Sequence, residues 1–447
     1  MFMGSFCLLG QTKSDAIAIR SIYNYHLSNS KSYSNLHDLC KNIGGRLSGS
    51  PQAAKAVEWA AKAMWDAGAD TVFLVPCMVP HWERGAKEIG EIRNRKDIKN
   101  LSVCALGGSV ETGASGILAQ VVEVASFEEL DKLGEKGVRG KIVFYNVSFN
   151  PEWINTGASY GSNVKYRTSG ASRAAKWGAV ASVVKSMTLS DNDFPHTGVM
   201  NYDTLVKEKI PAFAISAKGA RELAEELHRE KNSSLYLFSD CKMLKDEPSF
   251  SVVGEIRGNE TPNDILVAGG HLDSWDLGEG AHDDGAGVVQ SIEILAAIKN
   301  CKIKNKKTIR VIAFMNEENG LRGANAYLAF AEKEKKRHLG AIESDGGGLS
   351  PRSLGISTQG DTLLYFKKWN PLFAPYDIQI IGGGGGADVG PLKKMGAFEM
   401  SLIVDNQRYF DYHHTRDDVF ENVHKRELEL GAAAMTALIY LFDKYGF

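Results

Sequence analysis

The chain has 447 residues, 43% of them hydrophobic and 24% charged, an ordinary globular composition with length for two or three domains. With 52 Lys+Arg against 54 Asp+Glu the formal net charge is -2, which argues against a basic nucleic-acid binder and against an acidic disordered chain. Glycine is over-represented at 46 residues, about a tenth of the chain against a usual ~7%, although glycine costs backbone entropy wherever the fold does not need it.

In chain order, residues 1–10 form an apolar run too short to span a bilayer. It has the apolar character of a signal-peptide core, but no Lys or Arg precedes it and no clear cleavage site follows. Residues 14–70 read as largely helical, with Leu36, Leu39 and Ile43 on one face and a second helical run over 53–67. The turn-rich Gly44-Gly45-Arg46-Leu47-Ser48-Gly49-Ser50-Pro51 separates the two, and 71–80 reads as a strand. From about 105 to 245 the pattern is short β-rich runs, as at 116–124 and 140–145, with one helix-like run over 171–178. Beyond 250, strands at 265–269, 308–314, 341–344 and 401–404 alternate with helices at 285–299, 321–335 and 425–444. The helix at 285–299 is expected to place Val288, Val289, Ile292 and Leu295 on one side. This alternation predicts an α/β fold: a mixed, mostly parallel sheet sandwiched by helices. The expected organisation is an N-terminal part of the main domain (1–105), a β-rich insert (106–248) and a catalytic part (249–447). No later window approaches the roughly 18 apolar residues of a membrane span.

Cys7, Cys40, Cys77, Cys104, Cys241 and Cys301 are scattered and form no C-x-x-C pair, which excludes a thiolate zinc ribbon and a disulfide-dense scaffold. Glycosylation sequons begin at Asn100, Asn146, Asn232 and Asn259, a number close to chance for this length.

Sites in open α/β sheets gather at the carboxyl ends of the strands. After 265–270 come His271 and Asp273, and after a glycine-rich loop come Asp283 and Asp284. After 309–314 come Glu317 and Glu318, after 341–344 comes Asp345, and after 401–404 the chain runs to His413-His414-Thr415. Every such strand end delivers His, Asp or Glu. Imidazole and carboxylate suit zinc, and also cobalt or manganese. A pair of metals ~3.5–4 Å apart needs one carboxylate between them. The count fits His271 and Asp345 on one metal, Glu318 and His414 on the other, and Asp283 as the bridge. Adjacent residues leaving a strand point opposite ways, so Glu317 stands apart from Glu318, where it can take a proton from the attacking water. Asp273, two residues after His271, is placed to hold the second ring nitrogen of that histidine. Each residue also has a plainer reading. Strand-end histidines are mostly core or surface residues, Glu-Glu pairs decorate solvated faces, Asp-Asp-Gly caps helices, and His413-His414 reads equally as two exposed imidazoles.

The segments Gly269-Gly-His-Leu-Asp-Ser-Trp-Asp276, Gly280-Ala-His-Asp-Asp-Gly-Ala-Gly287, Asn316-Glu-Glu-Asn-Gly320, Glu343-Ser-Asp345 and His413-His-Thr-Arg-Asp-Asp418 resemble the co-catalytic zinc metallopeptidases of family M28. Arg46-Leu-Ser-Gly-Ser50, Pro80-His-Trp-Glu-Arg-Gly85, Tyr166-Arg-Thr168 and Pro195-His-Thr-Gly198 are similar to segments of its carboxypeptidase Q (plasma glutamate carboxypeptidase) branch. The resemblance covers nearly the whole chain. It implies two zinc ions per subunit and selects His414 over His413, because the ligand in this family immediately precedes Thr or Ser. It further implies a zinc-aminopeptidase-like fold with an inserted protease-associated domain, hydrolysis of small unblocked peptides, chiefly dipeptides, and a secreted or lysosomal homodimer with neither a nucleic-acid partner nor a membrane span. A broader aminopeptidase, a one-metal glutaminyl cyclase and a non-catalytic binding protein are the competing expectations. The five-glycine run 382–386 is longer in glycine than the family's usual loop, and Asp388 after it matches a family Asp near the site.

Overall fold

The protein was analysed as a computed structural model, which describes residues 13–94, 98–206, 208–230 and 233–446. The N-terminal apolar run, Cys7 and Asn232 lie outside the described residues. Among those described, the strands form two eight-stranded sheets and a two-stranded ribbon.

The first sheet has the order Thr71–Val79, Glu247–Ile256, Lys307–Phe314, Thr261–His271, Arg337–Glu343, Phe398–Val404, Pro351–Ile356, Gln379–Gly382. The four strands Lys307–Phe314, Thr261–His271, Arg337–Glu343 and Phe398–Val404 run parallel, flanked by antiparallel neighbours on each side. The sheet is therefore mixed, as expected, and its parallel centre is buried on both faces. Strand Thr261–His271 shows why. Leu266 and Ala268 enter the core on one face, while Ile265 and Val267 enter the core on the other, following the two-residue period of a strand. Helices Pro51–Asp66, Ala286–Asn300 and Lys425–Tyr445 cover the first face, and Arg322–Glu334 covers the second.

Helix Ala286–Asn300 departs from the expected one-sided pattern: its residues from Ala286 to Ile298 are all buried. It lies between the sheet and helix Lys425–Tyr445, so both its sides meet protein. Each Val, Leu or Ile so buried contributes roughly 1.5–3 kcal/mol. This rod fixes the loop from His271 to Gly285 against the sheet.

The second sheet has the order Ile98–Leu101, Glu88–Arg93, Ser234–Ser239, Ile117–Val124, Ile142–Tyr145, Ala181–Lys185, Ala212–Ile215, Val103–Ala105. Two expectations change here. The sheet takes in strands before residue 106, beginning at Glu88. The region is also α/β rather than simply β-rich. The strands Ile117–Val124, Ile142–Tyr145, Ala181–Lys185 and Ala212–Ile215 are parallel; helices Phe127–Val138 and Thr156–Lys176 connect the first three, and helix Ala217–Arg229 follows the fourth. The helix expected at 171–178 is the tail of the 21-residue helix Thr156–Lys176. Its first three turns escape a periodicity reading because glycine, serine and asparagine fill positions where an apolar stripe is sought.

The five described cysteines are all free, and no described helix is long and apolar enough to cross a membrane.

Candidate active site

The carboxyl ends of the parallel strands in the first sheet converge on one point. His271 is the last residue of its strand, and Glu317, Glu318 and Asp345 follow the ends of the two strands on either side of it. His414 arrives from a short helix, Tyr409–Tyr412, and Asp283 from the turn before helix Ala286–Asn300. Asp283 stands between the histidines. Its Oδ1 lies 3.2 Å from His271 Nε2, and its Oδ2 lies 3.2 Å from His414 Nε2. His271 Nε2 is also 3.5 Å from Asp345 Oδ1, and His414 Nε2 is 3.1 Å from Glu318 Oε2. The structure thus brings together His271, Asp283, Glu318, Asp345 and His414 in the arrangement the strand ends suggested. His413 stacks on His414 with ring centroids 3.5 Å apart and comes within 3.6 Å of Asp283. It has no such contact with Glu318, whereas His414 reaches both carboxylates.

Both histidines are held so that Nε2 faces the cluster. His271 Nδ1 lies 2.9 Å from the Asp273 carbonyl, and His414 Nδ1 lies 3.1 Å from the Thr197 carbonyl. A carbonyl only accepts, so each Nδ1 carries a proton and each Nε2 is the ring nitrogen turned toward the carboxylates. Asp273 holds His271 through its main-chain carbonyl rather than its carboxylate. The carboxylate instead accepts from the backbone N–H groups of Asn316 at 2.6 Å and Glu317 at 3.1 Å. Asp273 thereby fixes the loop that carries Glu317. Asn316 sits in the left-handed region at φ 72, a conformation asparagine tolerates better than most residues. Glu317 is half-buried and forms no ion pair with Lys or Arg among the described residues. Burial, then the charges of Asp345, Glu318 and Asp283, push its carboxyl well above the ordinary range, against the pull of His271. Burial and Asp283 likewise push Glu318 up to about 7.

Several supporting roles escaped the sequence reading. Asp418 is buried and accepts from the N–H groups of His282 at 2.6 Å and Asp283 at 3.1 Å, so it sets the turn that presents Asp283. Asp284, joined to Asp283 by a cis peptide, turns away. It accepts from His271 N at 3.1 Å and caps the next helix through Gly287 N at 2.8 Å. The capping reading is therefore true of the second aspartate of the pair. Glu343 accepts from the N–H groups of Asp388 and Val389, while the buried Asp388 carboxylate makes no hydrogen bond. A Cβ on Gly386 would lie 2.2 Å from the Glu343 carboxyl carbon, and one on Gly287 would lie 1.9 Å from the Ser344 carbonyl. At these two positions the glycine surplus is a matter of space. Asp418 and Thr197 lie far along the chain from the groups they hold, and no local spacing reveals them.

Segments outside the strand ends also close on the site. The fully buried Arg46 donates to the carbonyls of Leu272 at 2.5 Å, Glu279 at 2.7 Å and Gly280 at 3.0 Å, which ties down the loop after His271. Ser48 accepts from Asn316 Nδ2 at 2.9 Å and donates to Asn319 Oδ1 at 2.8 Å. Arg84 makes a two-pronged pair with Asp276, each bond 2.7 Å.

The donor set fits a cation. Asp283 Oδ2 and Glu318 Oε1 are buried and make no hydrogen bond, though their carboxylates sit among the imidazoles. None of Asp283, Glu317, Glu318 and Asp345 pairs with Lys or Arg among the described residues. For Asp283 and Glu318, which are buried, a carboxylate without such a partner or a metal is expensive. Two groups gather ligand atoms within 4.8 Å of one another, Asp283 with His413 and His414, and His271 with Asp283 and Asp345. Asp283 belongs to both, as a bridging carboxylate must.

Comparison with known proteins agrees with this chemistry. The family model for peptidase family M28 matches residues 251–439. Carboxypeptidase Q of Homo sapiens is 33% identical over 427 residues, 95% of this chain and 88% of its own length. That of Xenopus laevis is 34% identical over 412 residues, 92% of this chain and 85% of its own. The crystal structure of a peptidase M28 precursor from Shewanella amazonensis SB2B superposes with TM-score 0.91 at 30% identity, covering 96% of this chain and 97% of the other. A zinc aminopeptidase from Bacillus subtilis shares the fold at TM-score 0.65 and 21% identity, over 92% and 94% of the two chains. The chain therefore belongs to the zinc-dependent metallopeptidases of family M28, in the carboxypeptidase Q branch.

Proposed function

We propose that this protein is a di-zinc exopeptidase that hydrolyses small unblocked peptides, chiefly dipeptides, with Glu317 as the general base. The observation that carries the reading is Asp283, whose two carboxylate oxygens address His271 and His414 separately. His271 and Asp345 would hold one zinc ion, Glu318 and His414 the other, and Asp283 both. Bound zinc supplies Lewis acidity, polarising the scissile carbonyl and acidifying the attacking water.

The chain's own residues do the rest. The Glu317 carboxylate takes the proton of the attacking water and returns it to the departing amine nitrogen. Asp273 holds the Glu317 backbone, so the base is positioned before substrate arrives. The Asp273 and Thr197 carbonyls fix the two imidazoles, and Asp418 fixes the turn of Asp283.

In the same reading the second sheet is a protease-associated-type insert, and the protein is a secreted or lysosomal homodimer. Light scattering on purified protein tests the dimer. Glu317→Gln tests the mechanism: zinc content should stay at the wild-type level while turnover falls roughly 10²–10⁴-fold. Wild-type turnover in that variant would refute the assignment. A panel of dipeptides against longer peptides separates this reading from a broader aminopeptidase.

A further inference from the structure

The two sheets meet along a seam, and one side chain there binds both sides. Arg84 follows strand Trp82–Glu83, and its side chain is buried, only 9% exposed. A guanidinium has five N–H donors, and here all five are used. Nε and Nη2 make the two-pronged pair with Asp276, on the loop after His271. Nη1 donates to Glu88 at 3.1 Å and to the Ala105 carbonyl at 2.6 Å. The second Nη2 donor reaches the Thr197 hydroxyl at 3.1 Å. Asp276 belongs to the first sheet's loops, whereas Glu88, Ala105 and Thr197 belong to the second-sheet region.

Thr197 is also where that region grips His414, and the grip is double. The Thr197 N–H donates to the His414 carbonyl at 3.0 Å, and the Thr197 carbonyl accepts from His414 Nδ1 at 3.1 Å. His414 stands in the left-handed region at φ 62, a conformation that persists only where the surroundings hold it. The buried Thr197 hydroxyl accepts from Arg84 and donates to the Ala105 carbonyl at 3.1 Å. A chain of hydrogen bonds thus runs from Asp276 through Arg84 and Thr197 to the His414 ring. The other proposed site is supported separately. His271 Nδ1 is held by the Asp273 carbonyl on its own loop, and Arg46 ties that loop down through three carbonyls. Trp82 and Trp275 pack edge to face at 6.4 Å across the seam, so its cohesion does not rest on the arginine alone.

Resting on the di-zinc reading above, we infer that Arg84 is a positioning residue for the Glu318–His414 zinc site: through Thr197 it fixes the His414 ring, and it leaves the His271–Asp345 site independent. The rigid fork of a guanidinium suits this task, because it grips a carboxylate with two parallel bonds and keeps its remaining donors for a second segment. The second-sheet region would then set the affinity of one metal site without contributing a ligand to it.

The test is competition with a chelator, followed through both equivalents of zinc, on wild type, Arg84→Gln and Thr197→Val. Each variant should weaken one site roughly 10- to 100-fold, the usual cost of losing a group that holds a ligand, and leave the other unchanged. In a His414→Ala background, where the His271–Asp345 site remains, Arg84→Gln should leave the affinity unchanged. The double variant Arg84→Gln/Thr197→Val should lose no more than the larger single loss, because both act through one hydrogen bond. Thr197→Val, close in size to the native residue, carries the test if Arg84→Gln does not fold. Equal weakening of both sites, additive losses, or a loss that persists in the His414→Ala background would overturn the inference. So would unchanged affinities in the variants of a protein that binds two zinc ions, although the di-zinc reading would then stand. A wild type that binds fewer than two would overturn both.

Discussion

The two sheets share a plan and differ at their strand ends. Each has a parallel centre linked by helices. In the first, the carboxyl ends carry His271, Glu317, Glu318 and Asp345. In the second, the residues after the strands serve the scaffold. Ser126 and Ser216 cap helices through Glu129 N at 3.2 Å and Gly219 N at 2.9 Å, Asn146 binds Glu123 at 2.6 Å, and Ser186 binds the Ile215 carbonyl at 2.8 Å. The same architecture yields a cluster of candidate metal ligands in one sheet and helix caps in the other, because function resides in which side chains the strand ends deliver. The second region still reaches the site, but through a helix and a loop: Arg167 and Thr197 meet His414.

This contrast can be sharpened by substitution. The largest effect is expected at Asp418, which serves the first sheet's metal centre without joining the cluster. Asp418→Ala should weaken zinc affinity roughly 10- to 100-fold, measured by competition with a chelator. An unchanged affinity would mean that the Asp283 turn holds its own shape.

A smaller effect concerns stability and belongs to the scaffold alone. His26 is buried against Thr436, and burial lowers its pKa to about 3. His338 bonds Tyr327, and burial, then the Arg310 charge, lowers its pKa to about 4. Both folded values lie below the unfolded value of ~6.5. The unfolded chain therefore binds protons that the folded chain refuses. The stability these residues contribute is complete above pH ~6.5 and declines as pH falls toward about 3 and about 4. Each should contribute up to about 1.4 kcal/mol per pH unit in that window. Denaturant titrations from pH 7 to pH 5 on wild type and His26→Phe isolate this contribution: the variant should lose less stability, or gain more, than wild type on acidification. An identical pH dependence in the two proteins would contradict the assignment.

The smallest effect should come from a strand end of the second sheet. Ser216→Ala removes a helix cap and should cost about 1 kcal/mol of stability while leaving kcat/KM unchanged. A loss of activity beyond that stability change would blur the division between the two regions.

Much of this was legible in the sequence. The central strands and the helices between them followed from periodicity, since buried parallel strands read as unbroken apolar runs ending in polar residues. The candidate metal-site residues were named from the same runs: His271, Glu318 and Asp345 stand at or just after a strand end and Asp283 before a helix, whereas His414 lies beyond the short helix Tyr409–Tyr412. The flanking strands Glu247–Ile256, Pro351–Ile356 and Gln379–Gly382 were not, because proline, glycine and polar residues interrupt their alternation. Helix Thr156–Lys176 hid behind small and polar residues, and Arg167 with it. Asp418, Thr197 and Arg167 act on partners 135, 217 and 247 residues away, and a single sequence carries no signal for contacts of that range. Asp273 was found for its position, but sequence spacing does not distinguish its carbonyl, which holds His271, from its carboxylate, which holds the Glu317 loop.

The central claim is that one carboxylate, Asp283, joins two zinc sites at the strand ends of the first sheet. Anomalous diffraction at the zinc edge from crystals of the zinc-loaded protein tests it most directly. The account predicts two peaks, one touching His271 and Asp345 and the other Glu318 and His414, with Asp283 contacting both. A single peak, or two peaks that leave Asp283 unbound, would contradict it.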